Sequence, residues 1–220
     1  MLSAVRLLVA LEMLLLPAWA GVMCVRPARR PAGGRAAMES RGLGLRSAAG
    51  RLGRAAVAVA AVAMVVLAAA LFPQGPAVAE ALQSQVVAMG FLVLLAGIAV
   101  AADRAAGPRA AQMITALAGW LLLAGVILAG PLADLLQGPA QAALLRLAAH
   151  ANPLVVAERE LGLDWLHQDI TYRLTPLGES FGYLLGDLAW WKTALAHLFV
   201  GSGFLVFGAT GGRRALAKPP

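Results

Sequence analysis

Val86–Ala133 reads VVAMGFLVLLAGIAVAA, then DRAAGPRA, then AQMITALAGWLLLAGVILAGPLA. Two apolar runs, neither holding a charged residue, flank a short turn that carries Asp103, Arg104 and Arg109 and is broken by Gly107-Pro108. A bilayer's hydrocarbon core of roughly 30 Å is crossed by about 17–25 mostly apolar helical residues, so each run is long enough to cross and the turn sends the chain back. Two further runs of this kind stand at Ala55–Phe72, ended by Pro73-Gln74-Gly75-Pro76, and at Thr193–Ala209, bounded by Lys192 and by Gly211-Gly212-Arg213-Arg214. The pattern predicts an all-α, polytopic helical integral membrane protein with four transmembrane helices.

Composition agrees. The 220 residues are 60% hydrophobic and 13% charged, whereas soluble domains are about 25% charged, and mean hydropathy is +0.78. Such a chain lacks the polar side chains to cover a water-facing surface. The net charge of +7 is distributed as an orientation signal, because Lys and Arg accumulate in short cytoplasmic loops. Arg26–Arg54 holds eight arginines and a single acid, Glu39, while residues 132–192 hold seven of the eleven acids against four bases. Both the basic block and the C-terminal tail, 211–220, are therefore expected to be cytoplasmic. Arginine and alanine usage suggests a GC-rich bacterial genome, hence the cell inner membrane.

The basic block contains glycine, proline and alanine but no aromatic residue. Its composition suits a disordered juxtamembrane segment that anionic lipid attracts by about 1 kcal/mol per base. Nucleic-acid binding would need stacking aromatics or a fold, so no nucleic acid is expected as a partner. The one cysteine, Cys24, excludes an intramolecular disulfide and a thiolate cluster.

Met1–Val25 has three readings. Arg6, the apolar run Leu7–Leu16 and Ala18-Trp19-Ala20 have the layout of a secretory signal. Cleavage there would leave the arginine block outside, against the charge rule. The alternatives are a retained signal anchor with its N-terminus outside, or a mis-annotated start, with Met38 the true initiator. Glu12 becomes a functional candidate only if this segment spans.

The remaining chain divides into the basic segment 26–54, a three-helix membrane region at 55–136, an extracytoplasmic portion at 137–192, the last transmembrane helix within 193–210, and the tail. The portion before that last helix is too polar to span and too apolar for an ordinary soluble loop, so we expect short interfacial helices. Pro139–Ala151 forms one, with Leu144, Leu145, Leu147 and Ala148 facing the lipid and Arg146 and His150 facing water. Asn152-Pro153 supplies an N-cap and first residue for a second, running to about Leu161. A third is expected over Leu163–Leu174. Trp165, Tyr172, Tyr183, Trp190 and Trp191 have the composition of an interfacial aromatic belt or a partner surface.

Two groups could carry chemistry. Glu160, Asp164 and His167 would share a helix face, as carboxylates and imidazole holding a divalent metal do, although charged residues on a wet face arise from solubility alone. His197 lies one turn inside the last helix, where a cofactor contact or proton relay competes with simple helix packing. No cofactor is specified. Gly97-x-x-x-Ala101 and Gly125-x-x-x-Ala129 are small-residue pairs that permit close helix approach.

These features favour a non-catalytic inner-membrane protein whose segment 132–192 is a docking or scaffold surface for a membrane or periplasmic partner. A small membrane enzyme or redox or metal-binding subunit, and an accessory subunit of a transporter, are the alternatives.

Overall fold

A computed structural model describes residues 4–25, 59–68, 78–162 and 189–210, with single helical positions at 50, 53 and 57. Among these residues every regular element is a helix: α1 Ala4–Cys24, α2 Val59–Ala68, α3 Val78–Ala106, α4 Pro108–Ala133, α5 Pro139–Ala151, α6 Pro153–Glu160 and α7 Trp190–Thr210. Three are long and apolar enough to cross a membrane: Val5–Cys24, Val78–Ala106 and Pro108–Ala133. The expected spans Val86–Ala102 and Ala111–Ala133 fall inside α3 and α4. Thr193–Ala209 falls inside the 21-residue α7. Of Ala55–Phe72, only Val59–Ala68 is described as continuous helix.

Glycine, asparagine and proline set the breaks. α4, α5 and α6 each begin with proline directly after a capping residue: Gly107-Pro108, Gly138-Pro139 and Asn152-Pro153. Proline suits the first helical position because its missing N–H would be unpaired there in any case. Gly107 and Gly138 take φ of 85° and 61°, which a side chain disfavours. The Gly107 turn makes α3 and α4 antiparallel neighbours.

α3 is the central helix, apolar on all sides and buried along most of its length, as a helix enclosed by others must be. α7 lies along it in parallel, one position on α3 facing one on α7 at a nearly constant offset. Gly90 faces Ala194, Gly97 faces Gly201, and Gly208 sits on Val100 and Ala101. At the far end of the pair, Arg104 donates to Phe207 O at 2.7 Å, and its guanidinium lies over the Phe207 ring. α1 runs in the same direction on the other side of the core. Gly21 packs on the Gln112 backbone, Pro17 on Gly119, and Trp120 Nε1 donates to Leu14 O. The end at Val78, Ala133 and Trp190 is called upper below, and that at Cys24, Gly107 and Thr210 lower.

The helices α5 and α6 have the bounds expected of them but a different placement. They do not lie flat across the upper end. α5 descends beside α4, and at its foot Asn152 donates to Leu123 O, ten residues and so about 15 Å down α4 from Ala133. α6 then climbs between α1, α3 and α7, and its end at Leu161 accepts from Arg6 near the top of α1. The pair is a helical hairpin dipping into the bundle. The packing reflects this: Leu145, Ala149, Val156 and Ala157 are buried, whereas Leu147 is exposed. The expected helix Leu163–Leu174, the tail 211–220 and, apart from positions 50 and 53, the basic segment Arg26–Arg54 lie outside the described residues.

Candidate functional site

Breaking a helix inside an apolar bundle leaves carbonyls without amides, and each must find a partner. At the hairpin apex the accounting closes through side chains. In an unbroken helix, Leu154 N and Val155 N would bond to His150 O and Ala151 O, four residues back. Both amides instead bond to Asn152 Oδ1, at 3.0 and 3.2 Å. The two stranded carbonyls are taken by α7: Thr193 Oγ1 donates to His150 O at 3.0 Å, and His197 Nε2 lies 3.1 Å from Ala151 O. A carbonyl only accepts, so Nε2 carries the proton. Asn152 Nδ2 completes the set with its 2.6 Å bond to Leu123 O. Asn152, Thr193 and His197 are all buried. The sequence places Asn152 at a cap and His197 one turn inside the last helix; it does not show that the helix serves the cap.

His197, the expected cofactor residue, is thus engaged in holding a helix end. Its ring also lies against Phe91, with centroids 5.8 Å apart, and its Nδ1 has no partner among the described residues.

A second polar group ties α1 to the core. Gln85 Nε2 donates to Glu12 Oε2 at 3.0 Å, and the two side chains are 5% and 8% exposed. Glu12 Oε1 and Gln85 Oε1 have no hydrogen-bond partner among the described residues, and a buried acceptor left without a donor costs about 1–3 kcal/mol. Higher up, Arg6 Nε and Nη2 converge on Leu161 O at 3.0 and 2.7 Å, a cation placed on the negative end of α6. Gly162 beside it takes φ of 74°. Gln85 was missed because it stands just before the apolar run at Val86. Its partner is 73 positions away in the chain.

Glu160 is half-buried at the upper rim. Burial raises its carboxyl above the usual carboxylate range, Glu80 adds to the rise, and Arg159 opposes it. Asp164 and His167, its expected companions, lie outside the described residues, as do Trp165, Tyr172 and Tyr183. Among the described residues no group of three His, Cys, Asp or Glu could hold a metal ion. Trp190 is half-buried against the core, and Trp191 is exposed with Lys192 over its ring.

Compared with protein-family models, curated proteins and solved structures, the chain matches none.

Proposed function

We propose that this is a non-catalytic protein of the bacterial inner membrane whose helical frame presents the segment 163–188 to an extracytoplasmic or membrane partner. The observation that carries this reading is the closed hairpin. Transport folds also use broken helices at depth, but there the helix ends face a solute or ion; here Asn152, Thr193 and His197 cap the ends. With its ends satisfied internally, the hairpin acts as a brace. It returns the chain at Leu161, clasped by Arg6, and α7 resumes at Trp190. Counted from the apex contacts at Ala151 and His197, both points stand about 10–15 Å above it. The segment between these points carries Trp165, Tyr172 and Tyr183 and four of the eleven acids.

Charge sets the orientation. The upper end carries the acidic portion of the chain, and the lower end joins Arg26–Arg54, Arg104, Arg109 and the basic tail. The lower end is cytoplasmic by the positive-inside rule, with anionic lipid on the basic block. α7 and the helix containing Val59–Ala68 complete four spans, and α1 is a retained anchor with its N-terminus outside.

Replacing 163–188 with a neutral Gly/Ser linker of equal length tests the reading in the native host. The linker protein is expected to unfold at the wild-type temperature in detergent yet fail to restore the deletion phenotype. Full restoration, or a wild-type protein that migrates alone from mild detergent, refutes it.

A further inference from the structure

Glu12 stands near the middle of α1, a helix long and apolar enough to cross a membrane, and is buried there beside Met13 and Leu16. Its printed polar neighbour is Gln85, whose Nε2 donates to Glu12 Oε2. That bond leaves Glu12 Oε1 and Gln85 Oε1 buried and without a hydrogen-bond partner among the described residues. Both are acceptors while the acid is ionised, so neither serves the other. The charge is not balanced either. Arg6 lies six residues before Glu12, about 9 Å along α1, and is committed to Leu161 O. On the helices packed against α1, Glu80, Glu158 and Glu160 are themselves acids, and Arg159 acts on Glu160 at the upper rim. Asp103, Arg104 and Arg109 belong to the lower end, about 20 Å or more away along the helices. Among the described residues, burial and the Gln85 bond are what act on the Glu12 carboxyl.

Three occupants would supply what the pair lacks. A divalent cation takes about six oxygens, and the pair offers two. A bridging water would donate to both orphan oxygens but leave a carboxylate charged inside an apolar bundle, a state that buried groups escape by neutralising. A proton on Glu12 Oε1 removes the charge and turns one orphan acceptor into the donor that the other needs.

We propose that Glu12 is a proton-binding site within the bundle, held in the folded protein as a carboxylic acid whose O–H is donated to Gln85 Oε1. Acid and amide then share two antiparallel hydrogen bonds, and a neutral pair fastens α1 to α3. Drawing α1 off α3 breaks both bonds and admits water to the acid, so the docking of α1 and the holding of one proton are coupled. Infrared spectra of the full-length protein in lipid vesicles at neutral pH test this. The readout is the carbonyl stretch of a protonated carboxyl, recognised by its downshift in heavy water. Wild type minus Glu12→Gln is expected to contain this band, with an intensity of one carboxyl group and no loss of carboxylate absorption. Glu12→Leu gives the same difference, which guards against a change peculiar to one variant, and Glu158→Gln retains the band. Gln85→Leu keeps it but moves it to higher frequency, because both hydrogen bonds are lost. A difference spectrum that shows lost carboxylate absorption instead, as an ionised Glu12 bridged by water or a cation requires, overturns the proposal. A band whose frequency is the same in Gln85→Leu overturns it as well.

Discussion

The α3–α7 seam and the α5–α6 hairpin hold helices together by opposite means. Along the seam glycines let one backbone rest on another, and the attraction is dispersion between close surfaces. Around the hairpin the contacts are hydrogen bonds, because broken helix ends supply unmet carbonyls and amides. The seam depends on the absence of side chains and the hairpin on particular ones. A seam thus tolerates no added atom, whereas the hairpin tolerates no lost one.

Gly201→Leu should produce the largest effect. A Cβ there would stand 2.6 Å from Leu94 N and Cα, backbone atoms that cannot swing aside. A loss of about 3 kcal/mol or more is expected, read as unfolding at lower dodecyl sulfate content. An unchanged unfolding midpoint would show that the seam is not the tight contact described. Asn152→Ala comes next, removing a cap and a bond to α4; about 2 kcal/mol is expected from the cap and the interhelical bond together. If it costs less than Thr193→Val, which removes one bond, the apex accounting is wrong.

Smaller is the pH effect at Glu160. Its carboxyl is raised in the folded state, so folding favours the protonated form and stability falls as pH climbs from the unfolded to the folded pKa. Glu160→Gln should therefore melt slightly above wild type at neutral pH, the gap closing in acid below the usual carboxylate range. A gap that widens in acid contradicts the assignment. Smallest of all is Gly125→Ala. Among the described residues nothing stands within 4 Å of a Cβ at this position, so stability should stay within about 0.5 kcal/mol, or rise slightly through helix propensity.

That last pair of glycines marks where sequence reading reached its limit. Gly97-x-x-x-Ala101 and Gly125-x-x-x-Ala129 are the same motif, yet the first meets α7 and the second has no described residue against Gly125. Spacing states that a close approach is permitted, and only the tertiary arrangement decides whether a partner arrives. The same holds for the hairpin. Pro139 and Asn152-Pro153 mark its boundaries by local chemistry, but a helix lying on an interface and one dipping between neighbours share a moderate apolar content. Glu12 was legible as an oddity in an apolar run, and its partner Gln85 was not, since contact across 73 positions leaves no local trace.

The caps on His150 and Ala151 also impose an order of manufacture. Thr193 and His197 leave the ribosome some forty residues after the carbonyls they serve, and Gly201 and Gly208, the seam glycines on α7, come later still. Until α7 arrives, the descending arm of the hairpin carries stranded polar ends that lipid cannot satisfy. α7 supplies both missing donors, so the two ends of the hairpin are satisfied only once this last helix is in place.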